Sequence, residues 1–414
     1  MKKNILMLGA ALALMAFDAN AVEPQSGTTG EVNWSVDANG VLTISGNGSM
    51  ANYTYTSGNN KNNTGSTAPW YGIKDQITSV VVEQGVTSVG NYAFRDLTNA
   101  TSLSFPSSGL TSIGTTAFEN NSSLTSVTIP NSVTTVGEAA FKNASKLQYL
   151  TISDGLSNIA IHTFENAYKL EKLKIPENVT KIEEGAFSRA TSLTTIDFGG
   201  VKEIGNKAFA YNYDLKELVI PYPVEKIGGN TFKDATSLTT LVIGDSVQTL
   251  GTNAFLGTTS LTSVTIGKSL KSVPGDCFSN NNCFSGASKL KELTIDPTNP
   301  NLSVIANFFK GRSPAITKIN CIGADRSVCD AAMLDAGWDI SAIPGEGNAV
   351  MPTGAKLTNE DIQDPSARPQ QTAALTNTDL FDRSKDGRVD KRIYTVNEAN
   401  LVSGRRNKLM IRYR

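Results

Sequence analysis

Few side chains in this sequence are of types that do chemistry, and their spacing decides what each can do. The four cysteines fall into two close pairs, Cys277 with Cys283 and Cys321 with Cys329. Four cysteines permit three pairings. In a repeat array, residues distant in sequence are also distant in space, so the two local bridges are the expected ones. A zinc site is the rival reading, but the single histidine, His162, lies more than a hundred residues away. His162 itself sits at a position that other repeats fill with Tyr92, Thr116, Ala139, Lys207 or Asn253, which marks a surface turn and not a catalytic base. Asp197 and Glu217 are the only central carboxylate pair, and glycoside hydrolysis needs such a pair on one face. Asp382, Ser384, Asp386, Gly387 and Asp390 imitate the start of a calcium loop, yet position twelve is Ile393 in place of a bidentate glutamate. No glycine-rich phosphate loop is present. The chain reads as non-enzymatic, with no catalytic residue, no cofactor and no metal.

The elements that position these residues are set by a period. Phe94, Phe118, Phe141, Phe164, Phe187, Phe209, Phe232, Phe255 and Phe278 recur at intervals of 22 to 24 residues. A fixed period in the twenties is the signature of a solenoid, one short unit stacked on copies of itself. The repeats align with one another. The fifth residue before each Phe is aliphatic (Val89, Ile113, Val136, Ile159), as is the eighth before (Val86, Leu110, Val133, Leu156). The ninth after (Leu103, Val127, Leu150, Leu173) and the eleventh after (Phe105, Ile129, Ile152, Ile175) behave the same way; past Phe278 an insertion precedes Leu293 and Ile295. Residues 124–129 alternate with period two and read as a strand, closed by Pro130 as Pro176 and Pro221 close theirs. Gly90, Gly114 and Gly137 then turn the chain into a short helical or irregular piece bearing the Phe. Stacking gives a parallel sheet with a continuous apolar inner face.

The two ends of the stack need covers. Val32, Trp34 and Val36 alternate, residues 37–40 turn and Leu42 and Ile44 return, which predicts an N-terminal β-hairpin cap. At the rear, Ile316, Ile319 and Cys321 read as a last strand. Val328, Ala331, Ala332, Leu334 and Trp338 read as a closing helix pinned by the Cys321–Cys329 bridge. Lys2 and Lys3, the apolar run 5–17 and Ala19-Asn20-Ala21 fit a cleaved export signal, so the chain is expected at the cell surface or secreted. The expected organisation is a signal peptide (1–21), an N-terminal cap (22–76) and a solenoid of about nine repeats, mainly β with short helical or irregular segments (77–310). A C-terminal cap (311–340), a flexible linker (341–390) and a basic C-terminal module (391–414) follow. That last module carries seven Lys or Arg against Glu398 alone and reads as a sorting or anchoring signal without an LPxTG-type motif.

The unit LTSVTIPNSVTTVGEAAFKNASK (124–146) and the entry APWYGIKDQITSVVVEQGVTSVGNYAF (68–94) resemble the BspA-like leucine-rich repeats of bacterial surface proteins. The resemblance covers about residues 31–340. The more familiar repeat with an asparagine ladder fits less well, its ladder position being Ser132, Gly155 or Pro223. The resemblance implies a secreted or surface-displayed binding protein, often an adhesin for extracellular matrix, mucosal surfaces or other microbes, with no catalytic residues to transfer.

Side chains flanking a buried strand position point the other way, onto an open sheet face. The eighth residue after each Phe includes Tyr149, Lys172 and Glu217, and the tenth includes Lys174 and Asp197, in an otherwise Ser/Thr-rich face. Tyr149, Lys172, Lys174, Asp197 and Glu217 are the candidate ligand contacts, weighed against the reading that such charges only solubilise the sheet. A formal net charge of -1 argues against a nucleic-acid partner. No run beyond the leader is long enough to span a membrane. The expectation is a monomer that binds an extracellular protein or glycan; the alternative is an envelope-assembly component that contacts sister chains.

Overall fold

A computed structural model of the protein describes residues 22–363, apart from 57–64, 272–283, 303–304, 306–308, 310–315 and the single positions 336, 342, 346 and 348. The readings on residues 1–21, Cys277, Phe278, Cys283 and 391–414 lie outside the described residues.

The period-two segments form strands that pair in parallel with the next repeat. Ser126–Thr128 pairs with Tyr149–Thr151, and Lys172–Lys174 with Thr195–Asp197. Glu217–Ile220, Thr240–Ile243, Ser263–Ile266, Glu292–Ile295 and Lys318–Cys321 form one five-stranded sheet. Each ladder advances by one repeat, so Leu173 faces Ile196 and Leu218 faces Leu241. A second row of two-residue strands runs through Asn158–Ile159, Lys181–Ile182, Glu203–Ile204, Lys226–Ile227 and Thr249–Leu250, also parallel. Between the two rows lies the core. The result is a leucine-rich-repeat β-solenoid.

The phenylalanines are its spine. Each is buried, and successive rings from Phe94 to Phe255 stack with centroids 5.0–5.5 Å apart. This is the offset parallel geometry that aromatic quadrupoles favour. Backbone bonds reinforce the column: the N–H of Phe141 donates to Thr163 O at 2.9 Å and that of Phe164 to Ala186 O at 2.8 Å. The ring that follows Phe255 is Phe284, at 5.3 Å, so the insertion lies before this ring and not after Phe278 as the period suggests. Phe284 precedes Leu293 by the usual nine residues and Leu290 by the usual six. Trp70, twenty-four residues before Phe94, heads the column at 5.5 Å, with its indole N–H donating to Ala93 O at 2.8 Å.

Each Phe sits between two left-handed residues. The second before it (Tyr92, Thr116, Ala139, His162, Gly185, Lys207, Asn230, Asn253) has φ between 50° and 64° in every described repeat. The second after it, from Asp96 to Gly286, has φ between 59° and 91°. Asparagine suits that second position because its side chain can bond locally while the backbone is left-handed. Here it also makes a short ladder, Asn143 Nδ2 donating to Asn120 Oδ1 and Asn166 Nδ2 to Asn143 Oδ1, each at 2.6 Å. Gly114 and Gly137 do not supply positive φ. They are small because a Cβ there would lie 2.6 Å or less from backbone nitrogen of the preceding turn.

At the front, β1 (Gln25–Thr29), β2 (Val32–Val36) and β3 (Val41–Ser45) are antiparallel, and β3 passes the ladder in parallel to Ser79–Val82. The hairpin is β2–β3; β1 is polar and shows no apolar alternation to announce it. Trp34 and Tyr53 meet Trp70 edge-on at 5.6 and 5.7 Å, closing the first turn. At the rear, helix α1 (Arg326–Asp335) follows the last strand, and a disulfide joins Cys321 to Cys329, Cα atoms 5.9 Å apart. The bridge sets the roll of α1, so Cys329 and Met333, one turn apart, face the core, whereas Val328 and Leu334 are exposed. The closing helix is therefore present with a different apolar face from the one expected.

Among the readings that change, the linker is the largest. The part of 341–390 up to residue 363 does not run free: it is laid back along the solenoid, with Leu357 and Ile362 buried. Ala349 N–H donates to Cys321 O at 2.8 Å, which starts this return.

Phe164→Ala removes a ring stacked on both sides and is expected to destabilise the chain by about 3–5 kcal/mol, checked by denaturant unfolding of the purified protein. Thr116→Gly should act in the opposite direction. The threonine pays a left-handed cost of ~1–2 kcal/mol against glycine's smaller entropic one, so a gain of about 0.5–1 kcal/mol is expected in the same assay.

Candidate functional site

The ninth residue after each Phe from Phe118 onward is buried, so its neighbours straddle it on the outer face: Leu150, Leu173, Ile196 and Leu218 are all core residues. Lys172 lies opposite Thr195 and Lys174 opposite Asp197, while Tyr149 and Glu217 occupy the strands on either side. Tyr149, Lys172 and Lys174 are half-buried and Glu217 is exposed. Asp197 is not on an open face at all; its side chain is 5% exposed.

The returning segment is what covers it. Asp197 Oδ2 accepts the N–H of Leu357 at 3.0 Å, and its Oδ1 accepts the N–H of Gly199 at 3.2 Å and meets Lys356 Nζ at 3.4 Å. Lys356 Nζ also reaches Glu177 Oε1 at 3.2 Å, and Lys174 Nζ donates to Asn359 Oδ1 at 3.1 Å. A single 3₁₀ turn, Glu360–Ile362, ends the segment and is opened by reciprocal bonds: Thr358 N–H and Oγ1–H donate to Asp361 Oδ2 at 2.7 and 2.8 Å, and Asp361 N–H returns to Thr358 Oγ1 at 3.3 Å. Between Ala349 and Gly354, which lies against Pro221, the chain must cross the strands at 292–295, 263–266 and 240–243. There the tenth-position residues Thr294, Thr265 and Val242 are buried as well.

The face is thus split lengthwise. The tenth-position row is buried at Asp197, Val242, Thr265 and Thr294 and open at Ser104 and Thr128, and the eighth-position row, with Tyr149, Lys172, Thr195 and Glu217, still reaches solvent. Asp197 and Glu217 fall on different rows, and the Asp197 carboxylate is committed to Lys356 and Leu357, so the structure does not pair them for acid–base work. Burial works against the charge of Lys356, but Asp197 and Glu177 together outweigh it and hold its pKa above the ordinary lysine value of 10.5.

The second strand row carries a different surface, an open groove of about 820 Å³ lined by Lys181, Glu183, Glu203, Lys207 and Lys226 among others. Two of its ion pairs run across turns, Lys226 Nζ to Glu203 at 3.3 Å and Lys207 Nζ to Glu184 at 3.4 Å, and one lies within a turn, Lys181 Nζ to Glu183 at 3.0 Å. The hydrogen bond that Lys181 donates to Glu183 pushes the lysine's pKa up. His162 stands nearby on its left-handed turn with Nδ1 3.1 Å from Glu165, which Lys142 also pairs at 2.7 Å. Among the described residues no group of three or more His, Cys, Asp or Glu is placed to hold a metal ion, and no helix is long and apolar enough to cross a membrane.

Because the Lys356 pKa is raised on folding, its contribution is complete below the unfolded value of 10.5 and is lost only as pH rises through the higher folded value. Proteolytic nicking within 350–363 should therefore stay slow from neutral pH up to the lysine range and quicken above it; nicking that is already fast at neutral pH would contradict the contact.

A family model of the BspA type leucine rich repeat region (6 copies) matches residues 70–194, 158–283 and 202–325, more than half of the chain in all. No curated protein matches it. Among solved structures, the chain is similar to a leucine-rich repeat protein from Eubacterium ventriosum at 24% identity, over 66% of this chain and 79% of that one, with a TM-score of 0.43. It is similar to another from Bacteroides ovatus at 18% identity, over 81% and 89%, with a TM-score of 0.45. A leucine rich cell surface protein from Faecalibacterium prausnitzii matches at 21% identity, over 81% and 100%, with a TM-score of 0.39.

Proposed function

Because the chain belongs to the BspA-type leucine-rich repeat family, we propose that it is an exported binding protein, displayed at the cell surface or secreted, that adheres to host or microbial protein or glycan ligands through its sheet face. The observation that carries this reading is the eighth-position row: Tyr149, Lys172, Thr195 and Glu217 form a solvent-reaching line on successive turns of a rigid scaffold. A tyrosine among mixed charges offers flat apolar area and hydrogen bonds together, the combination that contact surfaces favour. The surrounding Ser and Thr side chains cost little to desolvate by comparison with charges.

Residues 1–21 supply the export signal in this reading, and the basic end at 391–414 a sorting or anchoring role. The chain acts without turnover and as a monomer. The Asp197 carboxylate of the central face is tied up in an ion pair with Lys356, which supports binding over catalysis.

Substituting Tyr149→Ala and Lys172→Ala together, in the full mature chain, is expected to weaken capture by immobilised matrix proteins or mucins by about tenfold, since a contact residue at the centre of an interface is worth more than ~1 kcal/mol. Circular dichroism should be unchanged. Undiminished capture by the folded double variant would remove this row from the contact surface, and an obligate oligomer by size-exclusion chromatography would favour assembly with sister chains.

A further inference from the structure

We propose that the sheet face between the strands Lys172–Lys174 and Glu217–Ile220 is a docking site for an extended polypeptide in which a lysine precedes an apolar residue, and that residues 350–363 occupy it in cis. The proposal rests on the sheet face being the contact surface and names what one of its rows recognises.

The site is built, not incidental. Asp197 is a carboxylate removed from water, and such a group is costly unless it is paired and hydrogen-bonded. Apart from the Gly199 N–H, its recorded partners come from about 160 residues further along the chain: the Leu357 N–H and the Lys356 ammonium. Glu177 provides the second jaw of a clamp on the same ammonium, and Lys174 takes the Asn359 side-chain oxygen. The apolar side chains Leu357 and Ile362 are buried within 356–363, a stretch that is otherwise polar. What is recognised is therefore a backbone N–H, the lysine before it and the apolar side chain it carries. Extended-peptide recognition works in this way, main chain for affinity and side chains for selectivity.

A tethered occupant competes at an effective concentration on the order of mM. A rival polypeptide of the same chemistry must therefore bind tightly or at several points to enter. The row that stays covered and the row that stays open would then answer to different partners.

The test uses a labelled peptide of residues 351–363 and two full-length mature chains, the natural one and a variant carrying Lys356→Glu and Leu357→Asp to detach the segment. The peptide is expected to bind the detached chain at least tenfold more tightly than the natural one by fluorescence anisotropy. Lys356→Ala with Leu357→Ala in the peptide should abolish that binding, as should Asp197→Asn in the detached chain. Should Asp197→Asn unfold the protein, the peptide substitutions make the same point on an unaltered surface. No binding to the detached chain, or binding indifferent to the peptide's lysine, overturns the proposal. Capture by matrix proteins and mucins, measured on the same two chains, keeps the two readings apart. Peptide binding without any capture leaves the docking site standing and removes adhesion; capture without peptide binding does the reverse.

Discussion

The structure depends on one requirement, that an aromatic ring rest on the ring of the turn before it. Strands in a parallel ladder are separated by about 4.8 Å, and the rings stack at 5.0–5.5 Å by sliding slightly across one another. Ring spacing and strand spacing are thereby matched, so both strand rows, the left-handed corners and the small glycines follow from a single pitch. The corners show how strictly it is enforced. Thr116 and Ala139 accept backbone angles that glycine would take more cheaply, because a turn that relaxed would lift its Phe off the neighbour. The unpaired ends of such a stack are its weak places. Trp70, itself a member of the column, meets Trp34 and Tyr53 at one end, and a helix tied by a disulfide closes the other.

Much of this was readable from residues alone, because repetition supplies an alignment within one chain. The buried columns, the parallel strands and the β2–β3 hairpin follow from periodicity and alternation. Where an insertion breaks the period, Phe278 falls at the expected spacing, yet the column continues through Phe284, which has the leucine six residues beyond that every ring from Phe118 onward has. Trp70 was hidden by its type and not by its spacing. The roll of the last helix was hidden by the bridge, which overrides the moment of its apolar residues.

The sheet face was read correctly as geometry and incompletely as surface. Flanking side chains do point outward, but outward is not exposed where another segment of chain lies over them. Leu357 and Ile362 carry no period, sit among polar residues and find their partner Asp197 about 160 positions away. Local pattern has no means of reporting such a contact. The returning segment thus engages Lys174 and Asp197, while Lys172 and Glu217 lie on the row that reaches solvent.

The returning segment also acts as a measuring tape. Ala349 is fixed at the last strand and Leu357 at Asp197, and eight residues reach at most about 29 Å when fully drawn out. The five turn-to-turn steps between those anchors require about 24 Å. A sixth would require about 29 Å, the whole of the tape with no slack left. Duplication or loss of a unit ahead of Lys172 leaves both anchors where they are. An added unit between Asp197 and Cys321 would draw the segment to its limit, so this half of the solenoid resists growth while the other half carries no such restraint.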